Sequence, residues 1–264
     1  MVTETERHIS QPLPVAKDAK STPPSILEEF EFVRLDESDH DRIMKIAMDE
    51  YVTGEAHYAA FLGENPEQAR ALMDWGITKS LHYPYTIAAI EKSTGEARIW
   101  AICRLFNIVG FRTMSVTNRD ESLDWIPWPL ELEKMSDDVI SMCHDHIWEL
   151  RPEANKILRR EYSYVTVKHR RKGLGRFLLN VGLDYDQLRA DGFDGIQSEA
   201  ASLANQTLLA SVGFETLLES EQSFYKRKDG TPVVLLQNTK NMKLMYLNLN
   251  LRNCWLPANF AIEK

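Results

Sequence analysis

The chain is predicted to be a mixed α/β domain, and three observations lead there. Strand-like and helix-like stretches follow one another in the order βααββ, then, past a long aperiodic insert, βαβα and final strands. A strand rich in β-branched and aromatic residues, Glu161–Val167 (EYSYVTV), runs into a basic glycine turn that opens a helix. At 264 residues, 44% hydrophobic and 27% charged, the chain can bury a full core.

Composition also narrows the function. No apolar run approaches the ~18–20 residues of a membrane span, and MVTETERHIS lacks the apolar centre of a signal peptide. The three cysteines, Cys103, Cys143 and Cys254, are odd in number and widely spaced, so they read as reduced thiols of a cytoplasmic protein. A net charge of −8 argues against a nucleic-acid partner, which calls for a broad basic face.

Residues 1–27 are rich in Ser, Thr, Pro and Lys and read as a flexible tail, with one folded domain over 28–264 and order beginning near Glu29. Phe30–Leu35 (FEFVRL) alternates as a half-buried strand does. A helix follows, capped by Asp36 or Ser38, with Ile43, Ile46 and Ala47 at helical spacing. A second helix starts at Asn65 as cap and Pro66 in its first turn. Tyr85–Glu91 and Ala97–Phe106, separated by KSTG, read as a hairpin. From Asn107 to Met135 periodicity disappears, as in a lid or binding loop, and Trp125 and Trp128 lie in that stretch. Ser136–Leu150 is helical and leads to the Glu161–Val167 strand. Leu174–Leu188 carries an apolar stripe compatible with one long helix. A strand around Asp194–Glu199, a short helix Ala204–Ser211 ending at Gly213, and three strand-like stretches complete the chain.

The turn Arg170-Arg171-Lys172-Gly173-Leu174-Gly175 is an anion site on physical grounds. The first N–H groups of a helix lack intrahelical partners and carry the positive end of its dipole. Glycine admits a close ligand and positive φ. The spacing is neither that of a Walker loop nor GxGxxG, and a solvated basic turn is the plain alternative.

R-x-x-G-x-G directly after a VTV strand resembles the acetyl-CoA pyrophosphate loop of the GCN5-related N-acetyltransferase (GNAT) superfamily. About thirty residues on, Asn205–Phe214 (NQTLLASVGF) resembles that superfamily's N-x-x-(A/S)-x-x-L-x-x-x-G-F helix in outline. Within the superfamily the chain is most similar to the insect and nematode arylalkylamine (dopamine-type) N-acetyltransferases. Thr53–Gly63 (TGEAHYAAFLG) resembles their D-E-P-L segment, and the late strands SFYKRKDGTPVV and NMKLMYLNL are similar to theirs. Ala56 replaces the proline after the glutamate, and Ala201 and Asn205 fall where the insect enzymes carry two serines.

The resemblance implies a GNAT fold: a mostly antiparallel mixed sheet with a splayed central strand pair, flanked by helices. It implies acetyl-CoA as cosubstrate, with the backbone of Val165, Thr166 and Val167 bonding the pantetheine arm as a surrogate strand. An N–H near Val165 would polarise the thioester carbonyl. The amides of Arg171, Lys172, Gly173, Leu174 and Gly175 would hold the pyrophosphate, with Arg170 and Arg176 adding charge. Asn205 would bond the arm or a nearby water. An alkylammonium pKa near ~10 demands a general base, and the resemblance gives that role to Glu55; an exposed loop carboxylate is the alternative. His57 and Tyr58 would relay the proton or line the pocket, or belong to surface and core. The helix that usually supplies a tyrosine acid to the thiolate contains none, which leaves Tyr225 on the following strand as a donor. Trp125 and Trp128 would cage an aromatic amine or its cation, or anchor the long loop.

His144 and His146 sit at i, i+2, which points two ligands to different helix faces, so no metal is expected. Three functions remain open: a small-amine N-acetyltransferase, a protein lysine or N-terminal acetyltransferase, and a catalytically inactive acetyl-CoA-binding regulator.

Overall fold

In the computed structural model, residues 24–55, 58–59, 66–92, 108–120, 146–221, 226, 229–232 and 238–250 are described. Seven strands form one sheet: β1 (Phe30–Arg34), β2 (Ile87–Glu91), β3 (Ile108–Asn118), β4 (Lys156–Val165), β5 (Gly195–Ala200), β6 (Glu215–Glu221) and β7 (Asn241–Asn248). Their order is β1-β2-β3-β4-β5-β7-β6, and only the β4–β5 pair is parallel.

Alternation along the strands sorts the core to two faces. On β1, Val33 and Leu35 join one cluster with Phe111 and Tyr162, against helices α2 (His40–Ile46), α3 (Val52–Gly54) and α4 (Pro66–Leu81). Phe32 joins another with Ile26 of α1 (Pro24–Glu29) and Leu174, Phe177 and Leu178 of α6 (Leu174–Asn180). Further along that second face, Leu188 of α7 (Tyr185–Ala190) and Leu209 of α8 (Leu203–Ser211) pack on Met114, Leu158, Ile196 and Met245. A short helix, α5 (His146–Leu150), precedes β4.

Asp36 is the cap the sequence suggests: its side chain accepts from Ser38 N, and Asp39 reciprocates in a capping box. Between α2 and α3 the chain takes a π turn over Ala47–Tyr51, which aims Tyr51 at the sheet.

The structure corrects several expectations. Residues 108–118, read as the start of an aperiodic insert, are an eleven-residue strand whose first ten residues are all buried. A strand covered on both faces need not alternate, and several of this one's buried polar groups find partners inside the protein. Arg112 donates to the carbonyls of Leu178 (2.8 Å), Val181 (2.9 Å) and Tyr85 (2.8 Å), and Thr113 Oγ1 accepts from Tyr162 N at 2.9 Å. Strand β3 pairs with β2 among the described residues, and the expected strand Ala97–Phe106 lies outside them. The single helix expected over Leu174–Leu188 is two, α6 and α7, broken at Val181–Asp184 where Gly182 has φ +74° and Asp184 caps the next turn. Strand β4 begins at Lys156 and ends at Val165, before Thr166 and Val167. Pro24–Glu29 is a helix with Ile26 buried at 2%, where the sequence suggests the end of a tail.

Candidate functional site

The central strand pair opens partway along. Parallel pairing of β4 with β5 runs from Ile157–Gly195 only to Arg160–Ser198. Beyond it, among the described residues, Tyr162–Val165 pair only with β3 and Glu199–Ala200 only with β7, which leaves a slot between the two strands. The expected splay is thus present. At its apex the β3–β4 register jumps from Met114–Arg160 to Thr113–Tyr162, so Glu161 is a bulge. Tyr162 N bonds Thr113 Oγ1 and Thr166 N bonds Val109 O at 2.9 Å, both toward β3. Strand alternation then turns the N–H groups of Ser163 and Val165 toward the slot.

Thr166 is engaged within the protein: its N–H goes to Val109 and its carbonyl accepts from His169 N at 2.9 Å. Its N–H is thus spent within the protein. Val167 follows with its side chain 72% exposed at the slot mouth.

The glycine turn closes that mouth from a rigid base. His169, 4% exposed, bridges Thr166 Oγ1 (2.7 Å) and Glu91 (3.3 Å), and its ring meets Phe30 edge-on at 5.8 Å. The hydrogen bond from His169 pulls the Glu91 carboxyl below its usual range. Arg170 folds back, Nε donating to Val165 O at 3.0 Å with the guanidinium 5.6 Å from the Tyr164 ring. Lys172 pairs with Glu29 at 2.8 Å, an exposed contact that a ligand can redirect. Arg171 and Gly173 both take positive φ (68° and 86°), and α6 starts at once. Arg171 and Arg176 are exposed, and Leu174 is buried in the core.

Gly175 shows where the turn faces. A Cβ there would point at Leu208 (3.9 Å) and Val165 (4.0 Å), into the space between the end of β4 and α8. Asn205, half-buried and one turn before Leu208, shares that face of α8. Ser202 caps α8 by accepting from Asn205 N at 3.2 Å.

On the other face of the sheet stands the segment carrying Glu55. The Glu55 carboxylate accepts from Tyr58 N at 2.9 Å. Tyr58 and Tyr162 join hydroxyl to hydroxyl at 2.9 Å, and Tyr51 packs against both rings at 5.7 and 5.5 Å. Burial raises the phenols of Tyr51, Tyr58 and Tyr162 well above their ordinary range, so these hydroxyls stay protonated. Glu55 and Tyr58 therefore share a wall with Tyr51 and Tyr162, which sequence reasoning did not single out; the alternation of tyrosines in YSYV was the available signal. On the bulge, Glu161 meets Arg159 at 3.5 Å and the Ser115 hydroxyl, and Arg159 also meets Glu199 at 3.5 Å.

His57, Trp125, Trp128 and Tyr225 lie outside the described residues. Among the described residues no group of three or more His, Cys, Asp and Glu could hold a metal, and no helix is long and apolar enough to cross a membrane.

No family model and no curated protein matches the chain. Solved structures do. A mosquito (Aedes aegypti) protein assigned as arylalkylamine N-acetyltransferase 7 aligns with 83% of this chain and 87% of its own, at TM-score 0.63 and 17% identity. Arylalkylamine N-acetyltransferase 2 of Aedes aegypti aligns with 84% of this chain and 99% of its own, at 0.59 and 17%. The fold is the GNAT fold. The polyamine N-acetyltransferase of Drosophila melanogaster, which catalyses formation of N-acetylagmatine, aligns with 83% of this chain and 100% of its own, at 0.56 and 12%. The splayed pair, the glycine turn and the helix after β5 thus sit in a GNAT frame.

Proposed function

We propose that the protein is an acetyl-CoA-dependent N-acetyltransferase that moves an acetyl group directly to a small primary amine, of the aryl- or alkylamine kind, within one domain. The observation that carries this reading is the open edge of β4 ending at a basic glycine turn. Both the edge and the turn are what a pantetheine arm and its pyrophosphate require. The neighbours' activities, on arylalkylamines and polyamines, support an amine as acceptor.

In this reading the N–H groups of Ser163 and Val165 serve the arm and the thioester carbonyl. The amides of Arg171–Gly175 serve the pyrophosphate, with Arg170 and Arg176 as counter-charges. Lys172 leaves Glu29 to join them, and Asn205 reaches the arm from the facing helix. Glu55 takes the ammonium proton through water and releases a neutral nucleophile. Tyr58 lines the acceptor side with Tyr51 and Tyr162, and their protonated state rules them out as bases near neutrality. His57, Trp125 and Trp128 complete the acceptor pocket, and Tyr225 donates to the departing thiolate, as the resemblance implies.

A thiol-release assay with acetyl-CoA tests the reading across dopamine, serotonin, agmatine, polyamines and a lysine peptide. Release with one or more small amines is the expected result. Release with the peptide alone would move the acceptor to a protein, and acetyl-CoA binding without release would leave an inactive binder.

A further inference from the structure

Arg160 is a buried cation that the reading above leaves without a task. It is 3% exposed and is the last β4 residue paired with β5, at the apex of the slot. One nitrogen, Nη1, reaches Ser198 Oγ at 3.4 Å across the two strands. Its Nε and Nη2 are buried and have no hydrogen-bond partner among the described residues. The carboxylate nearest in charge, Glu199, is held by Gln197 at 2.6 Å and by Arg159 at 3.5 Å.

Leaving two donors of a buried guanidinium unmatched costs folding free energy, because the water they lose is not replaced. Burial pulls this guanidinium down to about 10. It stays charged at neutral pH, and it stands where β4 and β5 part. A neighbour of like charge, Arg112, spends its own Nη groups on backbone carbonyls and offers Arg160 no relief. A cation held with free donors at the closed end of a slot is arranged for an anion that arrives there.

Acetyl transfer makes such an anion. Ser163, whose N–H faces the slot, lies three residues from Arg160, about 10 Å along an extended chain and within reach of an arginine side chain. When the amine nitrogen bonds to the acyl carbon, the carbon–sulfur bond breaks and its electron pair leaves on sulfur. The ammonium gives one proton to the base before attack, and the nitrogen loses a second, to water, as the amide forms. The sulfur is a thiolate as it leaves, until a proton reaches it from Tyr225 or from solvent. The Asn205–Phe214 segment carries no tyrosine to meet it.

We propose that Arg160, with the Ser198 hydroxyl beside it, is the group that receives the negative charge of the departing CoA thiolate. The assignment rests on the acetyl-transfer reading, and Arg160 acts as a fixed cation, without giving up a proton.

The test is the titration of CoA's own thiol on the protein, followed by the ultraviolet absorbance of the thiolate. Free thiols titrate near ~8.5. Bound to the unaltered protein, the midpoint is expected at least one unit lower, and Arg160→Met is expected to return it to the ordinary range. By linkage, Arg160→Met then weakens CoA at least tenfold at a pH where the thiol is ionised, while acetyl-CoA, whose sulfur is uncharged, binds within threefold of the parent. Turnover should fall by roughly 10²–10³, and Arg160→Lys should recover part of it. If Arg160→Met does not fold, the titration on the unaltered protein still decides. CoA bound with its thiol titrating in the ordinary range overturns the role of Arg160 and leaves acetyl transfer standing. Failure of CoA and acetyl-CoA to bind at all overturns the acetyl-transfer reading, and this assignment with it.

Discussion

The Tyr58 hydroxyl donates to the Tyr162 hydroxyl at 2.9 Å, which ties the segment bearing Glu55 to the strand that borders the slot. Tyr162 in turn donates to the Leu72 carbonyl at 3.5 Å. Tyr58→Phe removes the link while keeping the ring contacts with Tyr51 and Tyr162. The expected loss is about 0.5–1.5 kcal/mol of stability, read as a small fall in Tm. Because Tyr58 N also bonds Glu55, KM for the amine should rise while acetyl-CoA affinity holds. Equal weakening of both substrates would mean that the pair serves the fold alone.

Glu55→Gln is nearly isosteric, and its amide oxygen can still accept from Tyr58 N, so the segment should keep its shape. It cannot accept the ammonium proton. Turnover is expected to fall by roughly 10²–10⁴ with acetyl-CoA binding retained, and the rising limb of the pH–rate profile should be lost. An unchanged rate and profile would place the base elsewhere.

How far the sequence revealed this site depends on where each residue's signal lies. The glycine turn was legible because its requirement is local: Gly173 must take φ +86°, and α6 starts immediately after it. Asp36 was legible for the same reason, since its capping box closes within four residues. Strand β3 was not. Arg112, Thr113 and Ser115 are buried polar residues whose partners lie on β4 and α6, so no pattern in the strand itself marks it. The break between α6 and α7 had a local signal, Gly182 followed by Asp184 as cap, which the apolar stripe across it masked. Glu55 came from resemblance, whereas its tyrosine wall joins residues 51 and 58 to residue 162, more than a hundred positions on.

Gly175 offers a cleaner probe of the turn than Gly173. At Gly173 a Cβ would meet Ile26 Cδ1 at 3.3 Å with the backbone already at positive φ, so any substitution strains the free protein. At Gly175 a Cβ finds only ordinary contacts at 3.9 and 4.0 Å, directed into the cleft. Gly175→Ala should leave Tm unchanged or slightly raised in the absence of ligand. The Kd for acetyl-CoA should rise at least tenfold, about 1.4 kcal/mol, and the ligand-induced gain in Tm should shrink accordingly. An unchanged Kd would remove the pyrophosphate from this turn.

Gly76 fixes how closely α4 approaches the sheet. A Cβ there would fall 2.2 Å from the Tyr162 hydroxyl oxygen and 2.8 Å from the ring carbon bearing it, and Tyr162 is buried with little room to retreat. Gly76→Ala should cost about 1–3 kcal/mol through overpacking, despite alanine's better helix propensity. It should also raise KM for the amine by displacing Tyr162 and, through it, Tyr58. A stability gain would show that the tyrosine can move freely.

Arg112 joins the strand that sequence reading missed to the helix that presents the glycine turn. It is fully buried, and its guanidinium donates to the carbonyls of Leu178, Leu179 and Val181 at the end of α6 and to Tyr85 O before β2. Those helix-end carbonyls have no intrahelical donors, so Arg112 acts as their cap from across the sheet. Burial, and then the nearby Arg160 cation, lower its pKa to about 9, which still leaves it charged at neutral pH. Arg112→Met fills similar space but strips four acceptors of their donor, and the expected cost is about 3–5 kcal/mol. In a chain of this size that corresponds to a fall in Tm of roughly 6–20 °C. Arg112→Lys, with a single nitrogen, cannot span carbonyls on both sides and should recover only part of the loss. Because α6 begins at Gly173, its loosening should also weaken acetyl-CoA binding in either variant, measured by calorimetry below Tm. A full loss of stability with unchanged acetyl-CoA affinity would show that the turn holds its shape without the far end of its helix.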